Sequence, residues 1–249
     1  MRLILQPIIM QLSNNKILIT GGGSGIGLGL TERFVQEGNT VIICGRRAKV
    51  LKEVTDKHPE VVSRVCDLSI ESQREDLFNW VKENHPDLNV LINNAGIQNW
   101  MHTSDEDFYD KAKMEIECNI IAPLHLASLF LELASPITLM NVTSGLSFVP
   151  LTKVPVYSAT KAFMHSFTLS QRHLAKEKGV EVIEIIPPAL NTDLGGKGLH
   201  DGQPPVSDFI ETIFMQLKEG REALTFGFSE IMLNAGPEQL AGAFKRMNP

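Results

Sequence analysis

Short runs of β-branched and other aliphatic residues alternate along this chain with amphipathic segments of helical length, and that alternation leaves few folds open. Lys16–Thr20, Thr40–Cys44, Val61–Cys66, Val90–Asn93, Ile137–Val142 and Val182–Ile186 read as strands. Between them Ile26–Gln36, Ala48–Lys57, Ser69–Asn84, Asp110–Leu133 (one helix or two) and Pro155–Lys178 read as helices. Strands that stay apolar at consecutive positions are buried on both faces, which calls for a mostly parallel sheet covered by helices on each side. Beyond Ile186 the pattern loosens. Leu194–Val206 holds four Gly and two Pro and reads as a mobile loop, Ser207–Glu219 looks helical, and the remainder to Pro249 has no clear assignment.

Because strand–helix–strand crossovers are right-handed, the expected architecture is α/β, a Rossmann-like doubly wound sheet of seven strands with helices on both faces. Ligands in such sheets bind at the carboxyl ends of the strands. Thr20-Gly21-Gly22-Gly23-Ser24-Gly25-Ile26-Gly27 occupies the first such turn, between a strand and a helix. Glycines there let the backbone approach a pyrophosphate, and the helix N-terminus offers free N–H groups to it. A glycine-rich turn can be structural alone, but its place before the first helix and a second strand favours a dinucleotide site. Gly21, Ser24, Gly25, Ile26 and Gly27 are its candidate residues. The second strand ends Gly45-Arg46-Arg47 where an NAD site commonly has an acid for the ribose 2′-hydroxyl. A guanidinium fork matches a 2′-phosphate instead, so Arg46 and Arg47 point to NADP(H), with NAD(H) the alternative. Asp67, at the end of the third strand, could accept from an adenine amino group; Asn93-Asn94-Ala95-Gly96 ends the fourth beside the same pocket.

Tyr157 and Lys161 stand four residues apart on a predicted helix and so share a face. A tyrosine with a pKa near ~10 exchanges protons poorly at neutral pH, and a neighbouring ammonium is expected to lower that value. The pair alone is common. Ser144, just past the fifth strand, could hold a carbonyl oxygen, and Asn119 could keep a water linking Lys161 to solvent. Trp100, Met101 and Phe148 could line a substrate pocket or simply pack, and His165 reads as a packed residue.

Taken together, Thr20-Gly21-x-x-x-Gly25-Ile26-Gly27, Asn93-Asn94-Ala95-Gly96, Asn119, Ser144, Tyr157-x-x-x-Lys161 and Pro187-x-x-x-x-Thr192 resemble the compact, single-domain short-chain dehydrogenases/reductases. Finer runs are similar to a bacterial subgroup named for an oxidoreductase of the D-alanyl-lipoteichoic acid operon. The resemblance implies hydride transfer between NADP(H) and a carbonyl or alcohol. It implies Tyr157 as general acid/base, Lys161 as pKa modifier and ribose anchor, Ser144 as carbonyl orienter and Asn119 in a proton relay. It also implies cofactor contacts from Asn94, Ala95, Gly96, Pro187 and Thr192, with Thr192 at the carboxamide, and a substrate loop over about residues 190–208. The family commonly has Pro-Gly where this chain has Pro187-Pro188, and many members end in a strand that packs a tetramer interface. Phe226–Pro249 has no such run, so a homodimer through the 110–133 and 155–178 helices is expected instead. A catalytically silent dinucleotide sensor or scaffold is the other class the fold allows.

Composition bounds the rest. With 43% hydrophobic and 21% charged residues in 249, one domain over residues 16–249 accounts for the chain. A net charge of −6 without a basic block argues against nucleic-acid binding, and no apolar stretch reaches the roughly 20 residues that span a membrane. Cys44, Cys66 and Cys118 form no CxxC pair, so neither a disulfide framework nor a metal site is indicated, and free thiols fit the cytoplasm. Residues 1–15 read as an unstructured leader. Leu3–Met10 imitates a signal peptide only faintly, being interrupted by Gln6 and Pro7 with no cleavage site after it; a start at Met10 is the other reading.

Overall fold

The computed structural model describes residues 10–133 and 137–249. Seven strands, β1 (Lys16–Thr20), β2 (Thr40–Gly45), β3 (Val62–Val65), β4 (Val90–Asn93), β5 (Thr138–Val142), β6 (Glu181–Ile186) and β7 (Ala223–Thr225), form one sheet in the order β3-β2-β1-β4-β5-β6-β7. All six pairings are parallel. The crossovers are α1 (Gly25–Gln36), α2 (Ala48–Lys57), α3 (Glu71–Asn84), α4 (Phe108–Ile116) and α5 (Ala122–Phe130), then α6 (Pro155–Ala175) and α7 (Val206–Lys218), with α8 (Phe228–Leu233) and α9 (Pro237–Met247) at the end. The doubly wound, Rossmann-like sheet expected from the alternation is what forms. Its seventh strand lies in the stretch where the alternation loosens. The segment expected as Asp110–Leu133 is two α-helices joined by a π-helical turn, Glu117–Ile121.

Alternation along the strands sorts the core into two faces. Ile17, Ile19, Val41, Ile43 and Ile92 pack with Leu30 and Phe34 of α1 and Phe209 and Phe214 of α7. Leu18, Ile42, Leu91 and Leu139 pack with Leu77 and Phe78 of α3 and Leu126 and Phe130 of α5. Ring pairs lock each layer: Phe34–Phe214 at 4.8 Å and Phe78–Phe130 at 5.4 Å between centroids.

On the second face the apolar surface gives out towards the carboxyl ends of β4, β5 and β6. Asn93, Asn141 and Glu184 lie side by side in register there, all buried. Helix α6 answers with polar groups. Asn141 Nδ2 donates to Thr168 Oγ1 and Gln171 Oε1, both at 3.0 Å, and Asn93 Nδ2 donates to Asn141 Oδ1 at 3.1 Å. Thr143 Oγ1 donates to Glu184 at 2.7 Å, with His165 Nδ1 2.9 Å from the same carboxylate. All but Asn93 Oδ1, which has no partner among the described residues, these buried polar groups are bonded, and such bonds fix one alignment of helix on sheet.

The leader expected over residues 1–15 falls partly on residues 1–9, which lie outside the described residues. Of residues 10–15, the two ends are packed and Gln11, Ser13 and Asn14 are exposed. Met10 is buried in the first core face, and its backbone N–H donates to the Glu181 carboxylate at 3.1 Å. Asn15 is likewise buried, bonded through backbone and side chain to Asn39 Oδ1 at 2.9 Å. At the other end α8 and α9 cover the loop that follows Ser144, with Met232 and Ala243 packed against Val149 and Phe148. Asn248 finishes the join: its Oδ1 accepts from Thr152 N–H at 2.7 Å and its Nδ2 donates to the Pro150 carbonyl at 3.0 Å. Among the described residues no helix is long and apolar enough to cross a membrane.

Candidate active site

The glycine turn is shaped by what cannot fit in it. Gly21 and Gly25 have φ of +66° and +54°, a conformation that L side chains rarely adopt. Gly27 lies against Gly21, and a Cβ on it would sit 2.2 Å from the Gly21 carbonyl oxygen. Close passage of β1 and α1 therefore requires hydrogen at position 27. Thr31 Oγ1 bonds the Gly22 and Gly27 carbonyls at 3.0 and 2.9 Å, holding the turn from below. No side chain caps the start of α1. Its first N–H groups and the positive end of its dipole are left facing the turn, a donor set that fits a pyrophosphate.

Around this cradle stand the other expected cofactor residues. Arg47 Nη2 donates to Ser24 Oγ at 2.9 Å, which draws one arginine across to the glycine turn; Arg46 is exposed beside it. Asp67 Oδ1 accepts from the N–H and hydroxyl of Ser69 at 3.0 and 2.7 Å. Thr192 packs over Gly25, and the Pro187 carbonyl accepts from Gly145 N–H at 2.9 Å, tying the ends of β5 and β6 together. Asn94 braces the scaffold, its Nδ2 donating to the Thr20 carbonyl at 2.8 Å. Thr20 Oγ1 in turn accepts from the N–H groups of Asn94 and Ala95 at 2.9 and 3.0 Å.

Asn119, Ser144, Tyr157 and Lys161 come together at the same edge of the sheet, all buried. Ser144 starts a short 3-10 turn, Gly145–Ser147, where its hydroxyl accepts from Leu146 N–H at 3.1 Å. That hydroxyl lies close enough to the Tyr157 phenol to favour its ionised form. Lys161 Nζ donates to the Val142 carbonyl at 2.8 Å and sits 5.6 Å from the centre of the Tyr157 ring. Asn119 lies on the π turn. Its Oδ1 accepts from Ile97 N–H at 2.9 Å, and its Nδ2 donates to the Ile97 carbonyl at 2.8 Å and to Thr160 Oγ1 at 3.2 Å. The turn is braced by Arg74, whose Nη1 donates to Glu117 at 2.9 Å. Gly96 closes the group: Asn119 Oδ1 and Lys161 Nζ lie 3.3 and 3.6 Å from the place of its missing Cβ.

Burial dominates the electrostatics. It pushes the Tyr157 phenol far above its ordinary value, the neighbouring Ser144 hydroxyl pulls the other way, and the nearby Glu115 carboxylate adds to the rise. It pushes the Lys161 ammonium down to about 8. The lowering of Tyr157 by Lys161 expected from their spacing is thus corrected. Tyr157 is only 6% exposed, and the loss of solvation outweighs an ammonium that is aimed at the Val142 carbonyl rather than at the phenol.

Sequence reasoning passes over Glu115, which is fully buried on α4 and touches the Tyr157 environment. Its only signal is an acidic residue four positions before Asn119. Of the pocket candidates, Met101 is buried, whereas Trp100 is exposed with Lys153 Nζ 5.3 Å over its ring. Among the described residues one group, Glu71, Glu75 and His125, has metal-ligand spacing. Arg74 Nε donates to His125 Nδ1 at 3.0 Å, which leaves the proton of the neutral ring on Nε2 and no nitrogen free to ligate.

A parallel doubly wound sheet whose first strand runs through a glycine turn into an uncapped helix is the frame of a dinucleotide-binding α/β fold. The chain belongs to the short-chain dehydrogenase/reductase family: the family model for short chain dehydrogenases matches residues 15–201. An uncharacterized oxidoreductase of Bacillus subtilis, DltE, is 40% identical over 96% of this chain and 98% of that protein. A serine 3-dehydrogenase of Agrobacterium fabrum is 28% identical over 80% of this chain and 86% of that protein. In three dimensions the fold matches a short chain dehydrogenase of Burkholderia cenocepacia in complex with NADP at a TM-score of 0.83, with 23% identity over 96% of this chain and 100% of that one. A relative from Burkholderia phymatum in complex with NAD matches at 0.81, with 15% identity over 96% of this chain and 97% of that one. The family's cofactor is NAD(P), and the cradle suits its pyrophosphate.

Two consequences can be measured. Gly27→Ala forces the glycine turn away from α1, and the Kd for NADPH, read by nucleotide fluorescence, is expected to rise roughly tenfold or more; an unchanged Kd would show that the turn does not carry the nucleotide. For Lys161, the folded-state pKa falls from 10.5 to about 8. The folded state therefore bears the cost of a buried ammonium below about pH 8, and that cost fades as the pH climbs towards the unfolded value. Lys161→Met removes this titration. The melting temperature of the variant relative to the parent is expected to be more favourable at about pH 7 than at about pH 10. A flat difference would refute a depressed lysine.

Proposed function

We propose that the protein is an NADP(H)-dependent oxidoreductase that interconverts a carbonyl compound and its alcohol, with Tyr157 as the group that delivers or removes the proton. The observation that carries the reading is the gathering of Ser144, Tyr157 and Lys161, all buried and with Lys161 Nζ 5.6 Å from the centre of the Tyr157 ring, at the sheet edge that holds the glycine cradle. The nicotinamide, when bound, supplies or accepts the hydride. Ser144 and Tyr157 then hold the substrate oxygen, and in reduction Tyr157 gives it the proton. Lys161 anchors the nicotinamide ribose. Asn119 keeps a water that returns the proton to Lys161. Gly21, Ser24, Gly25, Ile26 and Gly27 take the pyrophosphate. Asp67, Asn94, Ala95, Gly96, Pro187 and Thr192 complete the cofactor wall.

NADP(H) rather than NAD(H) is supported by Arg47, already drawn over the glycine turn by Ser24, and by Arg46 beside it. Apolar Phe148, Val149, Leu151 and Val154 between Ser144 and Tyr157 favour a non-polar carbonyl substrate. Exposed Tyr109 and Met114 on α4, with Phe163, Leu169 and Leu174 on α6, favour a homodimer through those helices. The three cysteines are free thiols, in keeping with a cytoplasmic protein.

NADPH oxidation should be screened against aldehydes, ketones and quinones, and Tyr157→Phe tested on the best of them. Turnover is expected to fall by about 10²–10⁴, the range for loss of a general acid, with NADPH binding retained; a variant as active as the parent would end the catalytic assignment. Arg47→Ala is expected to weaken NADPH roughly tenfold and leave NADH unchanged, as the loss of one charge-assisted contact predicts. A parent protein that binds NADH as tightly as NADPH would overturn the cofactor preference.

A further inference from the structure

Glu115 is a carboxylate with 0% exposure that none of the roles above uses. It accepts from two donors of a single residue, the backbone N–H of Asn99 and Asn99 Nδ2, the latter at 3.0 Å. Four positions later Asn119 grips Ile97 by both its N–H and its carbonyl, at 2.9 and 2.8 Å. Two polar side chains of the α4–π segment thus hold Ile97 and Asn99, the residues on either side of Gln98, in the segment that leaves Gly96. Gln98 itself is half-buried. It lies against Gly195, at φ +80°, where a Cβ would come within 2.9 Å of Gln98 Nε2. Gly195 belongs to the Gly-rich loop ahead of α7.

We propose that Glu115 is a positioning residue which, by holding Asn99, fixes the register of residues 97–99 and so presents Gln98 to the substrate loop. The proposal rests on the reading of the loop at about 190–208 as the substrate loop. A position chosen for packing alone would not hold this group. The second oxygen, Oε2, is buried and has no partner among the described residues, and an orphaned acceptor weighs against folding. Burial also pushes the carboxyl up from its ordinary range. What the carboxylate offers in return is one oxygen on which both Asn99 donors converge. A glutamine offers the same oxygen without the charge, whereas a methionine fills the space and offers no acceptor.

The test is amide hydrogen exchange on the full chain, compared for the parent, Glu115→Gln and Glu115→Met. In the methionine variant the amides of residues 97–101 and 195–198 are expected to exchange roughly tenfold faster, while those of β1 and β4 stay protected. Glu115→Gln is expected to restore the parent pattern. Gln98→Ala, which leaves the anchors intact, is expected to free residues 195–198 alone and serves if the methionine variant does not fold. Parent-like exchange in Glu115→Met would overturn the proposal, since it would make the site a packing position. A glutamine variant as loose as the methionine one would also overturn it, because the charge and not the acceptor would then be at work. Neither outcome touches the chemical assignment, which stands or falls on Tyr157→Phe, and failure of that assignment leaves the exchange pattern as it is.

Discussion

The carboxyl edge of the sheet is held by a reciprocal join between the ends of β1 and β4. Thr20 accepts from the Asn94 and Ala95 N–H groups and donates to the Ile92 carbonyl at 3.2 Å, while Asn94 returns an amide proton to the Thr20 carbonyl. Thr20 is buried, so each of these bonds replaces a solvent contact that is no longer available. The glycine cradle leaves from one side of the join and the Gly96–Asn99 segment from the other. The glycine turn and the Ser144, Tyr157 and Lys161 group are thereby set at a fixed distance, and the proposed function depends on that spacing.

Behind the edge the fold accepts polar groups where apolar ones would be cheaper. The row Asn93, Asn141 and Glu184 interrupts an otherwise aliphatic face, and α6 meets it with His165, Thr168 and Gln171. Directional bonds of this kind specify how α6 is rotated and slid along the sheet, which aliphatic contacts do loosely. Tyr157 and Lys161 ride on the same helix. Their burial favours the neutral phenol and weakens the ammonium.

Much of this is legible in the residues. Aliphatic runs locate six strands, five of them buried along most of their length and the edge strand β3 flanked by buried Val61 and Cys66, and the glycine turn, Ser144, Tyr157 and Lys161 converge where the motif order places them. What escapes has physical reasons. β7 is three residues long and lacks a run to recognise. The π turn around Asn119 is a backbone event with no side-chain signature, and it alone shows why an asparagine sits mid-helix: the bulge lets it reach Ile97. Glu115 reads as a surface acid, since helical charges usually are, and only the path of residues 97–99 reveals that it points inward. The effect of Lys161 on Tyr157 is not readable from spacing, because spacing reports proximity whereas burial sets the larger part of the energy.

Asn248, one residue from the end of the sequence, holds the Pro150–Thr152 backbone midway between Ser144 and Tyr157. A side chain just past α9 therefore holds the stretch of chain that spaces the hydroxyl from the phenol, 96 positions away in sequence.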